Sequence, residues 1–121
     1  MNFKYWILLL TFSLISCVGD SSSEIDTVDV YISKGDTQCN DDGLTIEETI
    51  SFLTTSGIEV SESQCGVISD LSYPAVCGGG TNNIYIHTIE IDDLGDAENL
   101  GFTDTSLLIT EESSYSIVEC E

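Results

Sequence analysis

Basic side chains are almost missing from this chain: two Lys and no Arg stand against 22 Asp and Glu in 121 residues, a formal net charge of −20. A surface of that sign repels phosphate, which excludes nucleic acid and anionic lipid headgroups as partners of the folded part. Histidine is nearly absent too. The single His87 has no neighbouring ligand pattern and no triad partner in sequence, and neither a Gly-x-Ser-x-Gly elbow nor a phosphate-binding loop is found. There is no C-x-x-C pair, which argues against a zinc site and against thiol redox chemistry. Proline occurs once, at Pro74. No apolar run approaches the roughly 20 residues that a permanent membrane-spanning helix needs.

The chain does have a short apolar run, residues 5–15, preceded by Lys4. A basic n-region before an h-region of about 11 residues is the pattern of a secretory signal. Leu14-Ile15-Ser16-Cys17 follows and resembles the bacterial lipobox: a branched apolar residue, a tolerant position and a small residue ahead of a cysteine. The resemblance identifies residues 1–16 as a lipoprotein signal peptide and Cys17 as the lipidated first residue of the mature protein. Two or three acyl chains, at roughly 0.8 kcal/mol per buried methylene, would hold a domain on a membrane. Residue 18 is Val rather than Asp, the residue that resembles an inner-membrane retention signal, so the outer membrane is the expected address in the cell envelope. The resemblance covers residues 4–17 and concerns export. Residues 17–26, small and polar, read as a flexible tether, and residues 27–121 as one globular domain.

In that mature portion only Lys34 is basic, against all 22 acidic residues, for a formal charge of −21. The carboxylates are spread along the chain, as expected of a solvated surface whose self-repulsion is screened by salt. They would also suit a basic partner, an envelope or secreted protein.

With Cys17 assigned to lipid, Cys39, Cys65, Cys77 and Cys120 remain, an even number in a compartment where disulfides persist. Two bridges are expected.

Periodicity gives an α+β pattern. Val28, Val30 and Ile32 alternate as in a half-buried strand. Thr45-Ile46-Glu47-Glu48 is a capping box opening a helix with Ile46, Ile50 and Leu53 on one stripe, stopped at Ser56-Gly57. Residues 58–62 alternate again, and 65–68 continue that strand past a bulge or turn. Residues 71–83, with Pro74 and Gly78-Gly79-Gly80, read as a long loop, and residues 84–91 as a central strand. Asp92 or Asp93 is placed to cap a short helix containing Leu94, Ala97 and Leu100, with Gly101-Phe102 as a Schellman stop. Leu107-Leu108-Ile109 and residues 115–120 suggest two short strands around a turn at 111–114.

The order strand, helix, strand, strand, helix, strand, with a possible further strand, matches the split βαβ arrangement called ferredoxin-like. That topology gathers Cys39, Cys65 and Cys77 at one end of the sheet, and Cys120 joins them if residues 115–120 fold back on a fourth strand at 107–109. The expected pairs are then Cys65 with Cys77 and Cys39 with Cys120.

Candidate chemistry is sparse. His87 alternates beside Tyr85 as a packed or surface side chain, and the triple glycine reads as a loop. The stretch from Asp36 to Gly43, with Glu47 at position 12, is rich in oxygen ligands, so a calcium-binding module is one alternative, although the glycine stands at position eight and not six of an EF-hand. Asp41 and Asp42 also fit loop residues favouring a helix amino terminus. The expected function is a non-catalytic envelope-anchored binding domain, without cofactor, metal or catalytic residues. An inhibitor or immunity-type protein capturing a basic partner is the alternative.

Overall fold

The computed structural model describes residues 25–40, 42–69 and 73–120. The signal peptide, Cys17 and most of the tether lie outside the described residues, as does Asp41.

The described residues form an α+β domain: five antiparallel strands in one sheet, two helices and two disulfides. Strand β1 (Thr27–Ser33) leads to helix α1 (Ile46–Thr55), then to β2 (Val60–Ile68) and β3 (Asn83–Glu90). A 3-10 turn at Ile91–Asp93 runs into helix α2 (Leu94–Asn99). Strand β4 (Thr103–Asp104), a second 3-10 turn (Thr105–Leu108) and β5 (Tyr115–Val118) complete it. The strand order is β4-β1-β3-β2-β5.

Local chemistry explains the helix boundaries. Thr45 accepts from the Glu48 amide at 3.1 Å while the Glu48 carboxylate accepts from the Thr45 amide at 2.7 Å, the expected capping box. Both helices end in Schellman bonds, Ile58 N–H to Leu53 and Phe102 N–H to Ala97. Asp93 does not cap α2 through its side chain, because the preceding 3-10 turn already puts its backbone in the helical region (φ −91°, ψ −1°).

Alternation along β1 and β3 sorts the core. Val30 lies opposite His87, Val28 opposite Ile89 and Ile32 opposite Tyr85, so these six side chains share one face. Helices α1 and α2 cover that face: Leu53, Ala97, Ile58 and Phe102 close on Val30 and Ile89, all at most 2% exposed. Ile84 and Ile86 point to the other face and are buried there as well. The chain must travel from the β4 edge to the β5 edge through residues 105–114, and the 3-10 turn in that segment lies against β1. Beta-carbon space is missing at Gly66, where an added Cβ would stand 2.8 Å from Ile86 Cδ1, so glycine lets Ile86 lean across β2.

The carboxy-terminal strands differ from expectation. Leu107 and Leu108 belong to the 3-10 turn, β4 is only Thr103–Asp104, and β5 pairs with β2 instead of folding back on β4. The bulge in β2 falls between Val60 and Glu62, not before Cys65.

Candidate functional site

The end of the sheet where β1 finishes carries a cleft of about 590 Å³. Its floor is the row Tyr85, Cys65 and Val118, neighbours across β3, β2 and β5. The first turn of helix α1 brings Glu47 to one side, and the loop between β1 and α1 supplies Lys34, Asp36 and Asp42. Four carboxylates (Asp36, Asp42, Glu47 and Glu119) thus line it against one ammonium.

The loop is held by its own polar groups. Asp36 accepts hydrogen bonds from the Thr81 hydroxyl and, at 2.9 Å, from Asn83 Nδ2, with Lys34 Nζ 3.8 Å away. Asp42 accepts from the Thr37 hydroxyl at 2.7 Å and the Thr37 amide at 2.6 Å, and these bonds hold its carboxyl below the usual carboxylate range. Gly43 takes φ +98°, and a Cβ there would lie 2.8 Å from Asp36 N and Lys34 O, so only glycine lets the loop close this tightly. Tyr85 donates to the Leu44 carbonyl at 2.8 Å, and burial pushes its phenol pKa up, so it stays protonated as a fixed post beneath the loop.

Both disulfides lie at this end, but in a different pairing from the expected one: Cys39 with Cys77 and Cys65 with Cys120. Each exchange has a physical reason. Because β5 pairs with β2, Val118 is opposite Cys65, and Cys120 follows two residues later. The glycine-rich loop folds over the 34–44 loop, where Gln38 N–H bonds Gly79, Gly78 N–H bonds Gln38 and Thr37 bridges Gly80. That ladder puts Cys77 beside Cys39, whose backbone closes its turn at φ 68°.

His87 lies on the helix-facing side of β3 and is completely buried. Thr49 Oγ1 donates to the Ile46 carbonyl at 2.8 Å, which commits its only proton, so it accepts from His87 Nε2 at 2.7 Å. His87 Nδ1 then accepts from the half-buried Ser63 hydroxyl at 2.7 Å. Phe102 meets the ring edge-on at 5.9 Å. Burial lowers the imidazole pKa to about 4, so the ring is neutral at ordinary pH. Sequence reading missed Thr49, although it lies three residues after Ile46 and four before Leu53 on the buried stripe.

Asp36 and Asp42 accept from Thr, Asn and backbone donors, and among the described residues, which leave out Asp41 of the calcium reading, no three His, Cys, Asp or Glu side chains gather as a metal site. No helix among the described residues is long and apolar enough to cross a membrane. Comparison of the chain with family models, curated proteins and solved structures finds no match.

Proposed function

We propose that this chain is an envelope lipoprotein, anchored by acyl chains on Cys17, whose ferredoxin-like domain is a non-catalytic binding module for a basic partner. The observation that carries the binding reading is the placement of the cleft. The tether joins the domain at Thr27, and the cleft lies where β1 ends, six residue steps or roughly 20 Å along the strand. An anchored domain would therefore present its acidic, disulfide-tied end away from the lipid.

The strand order β4-β1-β3-β2, antiparallel throughout, supports the ferredoxin-like assignment, with β5 as the added strand. The formal charge of −21 on residues 17–121 supports a basic partner, because complementary fields accelerate encounter and discriminate against acidic competitors. The non-catalytic assignment rests on His87: both ring nitrogens are engaged and neither contacts a carboxylate, which suits a packing role.

The test is fractionation and intact mass of the protein from its native envelope beside a Cys17→Ala variant, followed by a pull-down from envelope and secreted proteins. Acyl mass on Cys17, loss of membrane association in the variant and salt-sensitive capture of a basic protein are expected. A soluble wild-type protein without acyl mass would refute the anchor. Capture that persists at high salt and selects acidic proteins would refute the basic partner.

A further inference from the structure

Among the described residues the β5 edge is open, and the chemistry around it specifies what fits. Within them β5 is the last strand of the sheet on its side and pairs only with β2. Ser69 N–H bonds the Ser114 carbonyl at 2.7 Å, which fixes the parity of the antiparallel ladder. By that parity Ser116 and Val118 direct their backbone groups at β2, whereas Tyr115 and Ile117 direct theirs outward. Ile117 is 50% exposed and Val118 41% exposed, so the same short strand offers free backbone groups and apolar side chains together. The opposite edge is different: β4 is two residues long and ends in Asp104, whose carboxylate accepts from the Ser106 amide. Short, charged edges resist strand addition; β5, at four residues, is twice as long as β4 and carries no charged side chain.

We propose that the β5 edge receives an extended, basic segment of a partner protein as a sixth strand, with its Lys or Arg side chains reaching the acidic cleft. The inference rests on the basic-partner reading and adds its mode of binding. Charge selects the occupant. Val118 is both an edge residue and part of the cleft floor, and Glu119 follows it, so long side chains of a strand laid on β5 point across the floor that Asp42 and Glu47 also line. A second copy of this chain would instead bring a domain of formal charge −21 against its like, which is opposed most strongly at low ionic strength. Backbone pairing supplies affinity and alternate side chains supply selectivity in this kind of recognition.

The experiment uses the full lipoprotein in neutral detergent and a peptide of about ten alternating Lys and Val residues, long enough for one strand. A second probe is the same peptide with its backbone amides N-methylated, which keeps the charge and removes every strand donor. At low salt the first peptide is expected to bind roughly tenfold tighter than the second, the equivalent of a few lost hydrogen bonds. Hydrogen exchange should slow at the Tyr115 and Ile117 amides in the complex, and Ile117→Pro, which deletes one outward donor, should weaken the first peptide alone. Equal affinity for the two peptides would overturn strand addition while leaving the basic-partner reading intact. No binding of either peptide at low salt would overturn both. A dimer protected at the same amides would give the edge to a second copy and overturn the proposal. If Ile117→Pro fails to fold, the peptide pair and the exchange data decide the question on the wild-type protein.

Discussion

Lowering the pH from about 8 to about 5 should cost this domain roughly 2 kcal/mol through one side chain, His87. The ring is fully buried, and that burial holds its pKa near 4 in the fold. In the unfolded chain it takes a proton near pH 6.5. Between those values the unfolded state binds more protons, so stability rises with pH. The contribution is complete above about pH 6.5, is lost as pH falls towards about 4, and at about 1.4 kcal/mol per unit reaches roughly 3 kcal/mol. Asp42, whose carboxyl the Thr37 bonds hold below the usual carboxylate range, stays ionised from about pH 5 to 6.5, the interval in which the histidine contribution changes. Urea unfolding of the wild type at about pH 7.5 and pH 5 should show the midpoint falling by roughly 1 M at the lower pH. His87→Gln should be less stable at both but lose this pH slope. An unchanged wild-type midpoint, or the same slope in His87→Gln, would refute the argument that a neutral, doubly bonded imidazole is being forced to charge.

The remaining predictions concern packing, backbone and covalent links. Leu53→Ala, which empties a fully buried position between α1 and the sheet, should destabilise by about 2 to 5 kcal/mol in denaturant unfolding. Gly43→Ala should loosen the cleft wall at a cost of about 2 kcal/mol, because the new Cβ meets backbone that cannot move aside; faster amide exchange at Leu44, whose N–H bonds Lys34, would register it. Non-reducing peptide mapping should recover Cys39–Cys77 and Cys65–Cys120. Mild reductant should open Cys39–Cys77 first, since both of its cysteines are exposed while Cys65 is buried, and recovery of the opposite order would contradict the packing of Cys65. Thr45→Ala should lower stability by about 1 kcal/mol through loss of the cap.

Local signals carried much of the fold. Alternation at Val28, Val30 and Ile32 placed β1, the Thr45 to Glu48 box placed the start of α1, and Gly101-Phe102 placed the end of α2, because each is a short-range matter of side-chain period or of backbone donors needing partners. The element order and the α+β class followed from those pieces. The candidate site was less legible. Its Asp36, Asp42 and Glu47 stood out only as part of an oxygen-rich stretch off the EF-hand spacing, since a linear spacing cannot report that Thr37, Thr81 and Asn83 donate to Asp36 and Asp42. The hydrogen-bonded row Ser63, His87 and Thr49 spans three elements and has no linear signature at all.

The sequence alone determined the charge, the cysteine count, the α1 cap, the helix stops and the faces of β1 and β3, all of which depend on composition or near neighbours. Tertiary structure alone decided that residues 115–118 join β2 and not β4, because strand pairing between distant segments is a competition among edges, settled by where a whole sheet leaves room. That one choice set Val118 opposite Cys65 and so exchanged the disulfide partners. It also made β5 the open edge beside the acidic cleft.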